Sequence, residues 1–271
     1  METRRLEAAR RFRWRTLSDV WRYRELLYFL VWRDVKVRYK QTTLGAGWAI
    51  VQPVMSMVVF TIFFGKFARM PSDGVPYPLF SLCALVPWTY FSTALSTGST
   101  SLVGQQNVIS KVYFPRLLVP LAAVVGPLVD FAIAFLVLLL LMIWYRRMPG
   151  PAVLCVLPLL VLAIMTAAAA SAWLSALTVR YRDVRYVVPF AVQIWLFATP
   201  VAYPASLVPG RWRALYGLNP MTGVIEGFRW ALVGGPSPGL MTVWSAVTVI
   251  LALAGGVVYF RRVEGTLVDV L

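Results

Sequence analysis

The residues that could carry out chemistry in this chain are few, and their distribution excludes more than it suggests. There is no histidine, which removes imidazole acid–base catalysis, histidine metal ligation and histidine proton relays. Cys83 and Cys155 both lie in apolar stretches, where buried thiols are the default and a structural disulfide is not expected. Asp130, in Pro127-Leu128-Val129-Asp130-Phe131, is the one acid deep in an apolar run. A charge at mid-bilayer costs about 2.5–3.5 kcal/mol on insertion scales, so it should face protein or water. A hydrogen-bonded or ion-paired structural role suits it better than a proton relay, because no second buried acid continues the path. No G-x-x-x-x-G-K-[ST] phosphate loop occurs. No catalytic residue, cofactor or metal is therefore expected on this chain, and if ATP drives it, another chain binds the ATP.

The elements that must position these residues are set by composition. Of 271 residues, 59% are hydrophobic and 14% charged, with a mean hydropathy of +0.71. A soluble domain is typically about 45–50% apolar and about 25% charged, so lipid is the expected solvent. The net charge of +15 would point to nucleic acid in a soluble protein. Twelve of the 26 basic residues, however, fall within the first 40 positions, and the rest sit in short gaps between apolar runs. That pattern fits membrane topology and anionic lipid, not nucleic acid.

Runs near the length needed to cross about 30 Å of hydrocarbon occur at about 48–68, 78–103, 117–145, 152–178, 187–203 and 239–260. The sustained runs begin near Trp48, too late for a cleavable signal, so the first is expected to stay as an anchor. With residues 1–47 inside, the inner segments carry 19 Lys and Arg against 7 in the outer ones. That bias puts both termini in the cytoplasm. Trp48, Trp144-Tyr145 and Tyr259 stand at span ends, fit for the headgroup level or for packing between helices. The stretch 204–238 is too apolar and too interrupted for a simple loop. It reads as two short helices separated by Asn219-Pro220, as in segments that enter the membrane and return. Within it Glu226 and Arg229, three apart, could pair.

Residues 21–40 place Trp21, Tyr28, Trp32, Val35 and Tyr39 on one helical stripe with basic residues beside it. Such a helix suits the inner membrane surface or another domain; a following span favours the first. Asp34 could pair with its basic neighbours. Thr89, Thr93, Thr97 and Ser101, at four-residue spacing, suit close helix packing or a polar wall. The Ala167 to Ala172 run reads as close packing.

The run from Arg38 to Pro53 (RYKQTTLGAGWAIVQP) resembles the approach to the first span in ABC exporter permeases of the polysaccharide type. Ile109 to Arg116 (ISKVYFPR) and Leu218 to Thr222 (LNPMT) resemble two further family signatures, and the likeness runs in order over nearly the whole chain. Those permeases export O-antigen, capsular polysaccharide or teichoic acid, and the O-antigen group is the nearest in likeness. The resemblance implies an all-α integral membrane protein of the inner membrane. It would have a cytoplasmic segment 1–47 with an amphipathic interface helix (Trp21, Tyr28, Trp32, Tyr39), six spans within 48–260, two re-entrant helices in 204–238 and a tail 261–271. It also implies a homodimer with two copies of a nucleotide-binding ATPase subunit, which holds the ATP and Mg and drives a lipid-linked polysaccharide outward.

On that reading the loop 104–116 is the force-transfer site, with Gln105, Gln106, Lys111, Tyr113, Phe114 and Arg116 as ATPase-coupling candidates; an ordinary connecting loop is the alternative. Sugar rings stack on aromatic faces and their hydroxyls need scattered partners. The lining candidates are Phe60, Phe63 and Phe64, then Trp88, Tyr90 and Phe91, then Trp195, Phe197 and Tyr203. The first and last groups rank highest because the family lines its conduit with the first and fifth spans; lipid contact or helix packing accounts for at least half of the nine. Glu226 and Arg229 are the outer-gate candidates, and Asp130 the buried acid. The competing readings are a capsule or teichoic acid permease, a small-molecule exporter, an intramembrane glycan-modifying enzyme and a passive channel. The enzyme would need a clustered acid, base or nucleophile, and the channel would leave the interface helix and loop without a role.

Overall fold

Proline and glycine punctuate the apolar runs, and the helices break where they fall. The computed structural model describes residues 20–40, 45–109, 111–112, 114–237 and 239–265. Helix α1, Arg24–Lys40, is followed by a 3-10 turn, Gly45–Gly47, in which Gly45 has φ +49°, a conformation suited to glycine. Helix α2, Trp48–Phe60, widens into a π-helical stretch, Thr61–Phe67. Helix α3, Tyr77–Gly104, has proline in its first turn. The third apolar run is broken at Gly126-Pro127 into α4, Leu118–Val125, and α5, Leu128–Trp144. Helix α6, Val156–Arg180, follows a 3-10 segment, Pro151–Cys155. Then come α7, Val184–Ala198, α8, Gly210–Gly217, α9, Pro220–Val233, and α10, Leu240–Glu264. No strand occurs among the described residues.

Among the described residues, five segments are long and apolar enough to cross a membrane: Trp48–Phe67, Tyr77–Gly104, Leu118–Trp144, Pro151–Arg180 and Leu240–Glu264. The fifth apolar run of the sequence differs from its expected bounds of 187–203. Helix α7 starts at Val184, ends at Ala198 and has 15 residues, short of the roughly 17–25 that a span takes. Pro200 accounts for the early stop. A residue before proline is pushed out of the helical region, and Thr199 is extended at φ −112°, ψ 145°.

Helix α3 is the central element, with α6 packed along it. Small residues permit the approach: Ser171 donates to the Ala94 carbonyl at 3.4 Å, and a Cβ at Gly98 would lie 2.2 Å from Ser171 Oγ. Gly98→Val should therefore lower stability by about 1–3 kcal/mol, the usual cost of overpacking, seen as a lower melting temperature in detergent; an unchanged value would place the contact elsewhere. Helix α9 lies almost wholly buried against α3, α6 and α10. Asn219 caps its start, accepting from Met221 N at 3.1 Å, and Gly234 ends it with φ +74°. By contrast α2 buries only Pro53 and α7 only Val188. The uncovered faces of α7 and of the π-helical stretch after α2 carry Phe190, Ile194 and Phe197, and Phe63.

Candidate functional site

Functional candidates gather at three places. The first is where α1 meets the bundle. Tyr23, Leu26 and Leu27 pack on a cluster containing Leu102, Phe114 and Leu117, and Leu30 is buried one turn on. At the other end of α1 the Arg38 guanidinium and the Tyr39 hydroxyl both donate to the Asp130 carboxylate on α5. The two ends of α1 are thereby fixed on either side of the Gly126-Pro127 break. Burial, ahead of the bond to Asp130, pushes the Tyr39 phenol up to about 12, so it stays a proton donor at physiological pH. Trp21, Tyr28 and Trp32, the other members of the sequence stripe, are exposed; Tyr39 has left them for Asp130. Arg33 pairs with Asp34 at 2.8 Å.

Beside this latch is a cavity of about 360 Å³ between the end of α1, α2, α3 and α5. Thr89, Thr93, Thr97 and Tyr90 reach it from α3, Gln52 and Trp48 from α2, and Asp130 and Phe131 from α5. Tyr90 donates to the Val124 carbonyl at 3.2 Å, and Thr97 to Thr93 O at 2.7 Å. Ser101, the fourth of the series, is buried and donates to Gly98 O at 2.7 Å. The threonine ladder thus borders the cavity at three steps and joins the helix packing at the fourth.

The second place is the loop between α3 and α4. Gln106 and Lys111 are exposed, with Val112 beside them. Gln105 buries its side-chain oxygen, which has no hydrogen-bond partner among the described residues. Phe114 is 5% exposed and sits in the cluster beneath α1. This corrects its assignment as an anchor for a partner's pocket, because its ring is already held by this chain. Arg116 is turned inward too: its amide donates to Glu264 Oε1 at 3.1 Å and its guanidinium to the Glu264 carbonyl. A cation at the carboxyl end of α10 is favourably placed against the helix dipole. Tyr113 lies outside the described residues.

The third place is the opposite end of the bundle. Arg229 on α9 donates to Glu226 at 2.8 Å, to Val201 O at 2.7 Å and to Tyr203 O at 3.3 Å. Its guanidinium carbon is 3.6 Å from the Phe80 ring centroid. Tyr77 donates to Ala202 O at 2.7 Å. These bonds pin the segment after α7 to α3 and α9. Nearby, Trp195 donates to Asn219 Oδ1 at 3.0 Å, the Tyr203 and Tyr216 hydroxyls are 2.8 Å apart, and Trp195, Trp212 and Tyr216 border an open cleft.

The aromatic lining candidates separate by burial. Trp88 and Phe91 are enclosed in the core, where Phe91 meets Trp195 edge-on at 5.0 Å. They have no open face for a passing chain, which corrects their place among the lining residues. Tyr90 is also buried but borders the cavity. Phe63 and Phe197 are exposed, and Phe60, Phe64 and Tyr203 partly so. Trp144 is 80% exposed, whereas Tyr259 stacks on Trp173 at 4.8 Å and so belongs to helix packing. The sequence signal for α1's packed face, Tyr23, Leu26, Leu27 and Leu30, was present but masked by the aromatic stripe beside it.

Residues 25–233 match the ABC-2 type transporter family. The chain is 29% identical to the O-antigen export system permease protein RfbA of Myxococcus xanthus, over 92% of this chain and 97% of that protein. It is 24% identical to the RfbA permease of Klebsiella pneumoniae, over 78% and 81%. It is 21% identical to the polysialic acid transport protein KpsM of Escherichia coli, over 86% and 91%.

Proposed function

Because the chain belongs to the ABC-2 type transporter family, we propose that it is the membrane-spanning permease of an ATP-driven polysaccharide exporter. The observation that carries this is the end-to-end likeness to an O-antigen export permease, over 92% of this chain and 97% of the relative. The KpsM relative favours capsule-type export as a second reading. Two copies form the permease, with two copies of a nucleotide-binding subunit in the cytoplasm. The five long helices cross the inner membrane. Helix α7 is the sixth crossing, short in itself and extended by the segment that Arg229 holds. Helices α8 and α9 are the re-entrant pair, and α9's burial supports that placement. Helix α2 with its π-helical extension, α7 and the segment after it border the conduit with Phe60, Phe63, Phe64, Trp195, Phe197 and Tyr203, and Glu226 with Arg229 holds the outer gate.

Deleting the gene should trap lipid-linked glycan on the cytoplasmic side, and surface glycan persisting at the parental level would refute the reading. The coupling face is Gln106, Lys111 and Val112 together with the exposed side of α1. Lys111→Glu should reduce co-purification of the ATPase several-fold without lowering the permease's melting temperature, since an exposed rim charge acts on association rather than folding. Equal co-purification would remove the loop from the contact. Phe114→Ala is the poorer test, because emptying a core aromatic site costs about 3–5 kcal/mol by itself.

A further inference from the structure

We propose that the cavity between α1, α2, α3 and α5 is a binding site for a neutral pyranose unit of the exported glycan. The inference rests on the exporter reading and adds a site inside one subunit, apart from the faces of α2 and α7.

Three features of the lining carry it. The volume, about 360 Å³, falls within the roughly 300–1,000 Å³ of small-ligand pockets. The polar groups are those that a sugar needs. Thr89 and Thr93 stand one helical turn apart, and neither hydroxyl has a hydrogen-bond partner among the described residues. Gln52 joins the lining from α2, and its amide carries donors and an acceptor. Trp48, Tyr90 and Phe131 supply apolar ring surface for the C–H faces of a pyranose.

Charge selects among polar ligands. Arg38 and Asp130 are the charged residues on the wall, and they are paired. A phosphate or other anion would compete with Asp130 for the guanidinium and meet the carboxylate's repulsion, whereas a neutral polyol meets neither. The position is suited to early contact with the chain. Trp48 opens α2 and Thr97 lies two turns before the end of α3, so the cavity reaches inward from the bundle end that carries α1.

The test uses the full chain with its ATPase in cells that make the glycan. A diazirine-bearing amino acid is installed at position 93, and at Leu140 on α5, which is 66% exposed, as a lipid-facing control. After irradiation of an exporting strain, the position-93 chain should carry covalently attached glycan, seen by lectin blot and by mass spectrometry of the α3 peptide. The Leu140 chain should carry phospholipid alone. Thr89→Val should lower the glycan yield at position 93 by about 2- to 12-fold, the equivalent of one ordinary hydrogen bond. Phospholipid alone at position 93, or no adduct in a strain that still exports, overturns the proposal and leaves the exporter reading intact. Failure of that reading shows separately, as surface glycan unaffected by deleting the gene.

Discussion

Replacing Arg229 by alanine is expected to destabilise the protein by about 3–5 kcal/mol, the range for breaking a buried ion pair by removing one partner. Glu226 and Arg229 expose only 6% and 4% of their side chains, so water cannot take the missing partner's place. The variant would strand the Glu226 carboxylate, leave Val201 O and Tyr203 O without the guanidinium, and remove the cation from the Phe80 ring. The expected result is a melting temperature lowered by several degrees in detergent and a loss of protein from the membrane fraction. Glu226→Leu with Arg229→Met should recover much of the loss, because an apolar pair of similar volume avoids the desolvation of both charges. The singles and the double together measure the coupling. An Arg229→Ala protein that melts with the wild type would show that the cluster contributes no stability.

The second large effect is expected at the latch. Arg38→Ala leaves Asp130 on an apolar helix with Tyr39 as its remaining partner. Removing one partner of a fully buried pair costs about 3–5 kcal/mol, and the 29% exposure of Asp130 reduces this through solvent screening. The larger consequence is mechanical: the end of α1 loses its hold on α5. Hydrogen–deuterium exchange over residues 34–40 should rise by about tenfold or more, the equivalent of about 1.4 kcal/mol, and glycan export should fall while the ATPase still co-purifies. Asp130→Asn in the Arg38→Ala background should restore folding, since it removes the stranded charge, but not export. Unchanged exchange in Arg38→Ala would show that α1 is held by its packed leucines alone.

The sequence made the helices legible where hydropathy and punctuation agree. The small residues near Ser171 were readable as a contact surface, because small residues at helical spacing let helices approach closely in lipid, whereas the spacing of Thr89, Thr93 and Thr97 suited packing or a cavity wall. The end of α7 was not readable, because Pro200 lies inside a continuous apolar run and hydropathy does not register a missing amide. The packed face of α1 was not legible for a related reason. Apolar residues lie on two sides of that helix, so choosing the aromatic stripe concealed Leu26, Leu27 and Leu30. For the candidate sites, the spacing of Glu226 and Arg229 announced their pairing. Nothing local could connect Arg38 to Asp130, 92 residues away, since only the tertiary fold brings them together.

The Gly126-Pro127 break acquires a different meaning once α1 is laid beside it. Seventeen residues at about 1.5 Å each make a strut roughly 25 Å long. One end rests on the α4 side of the joint, the other is fastened to α5 through Asp130. A strut across a joint is a splint, and the joint cannot flex until one fastening slips. Of the two, the leucine end can slide, because apolar contact has no direction, whereas the Asp130 end holds as long as its two hydrogen bonds do. Any bending of the third apolar run would therefore carry α1 along with α5 and draw its other end across α4.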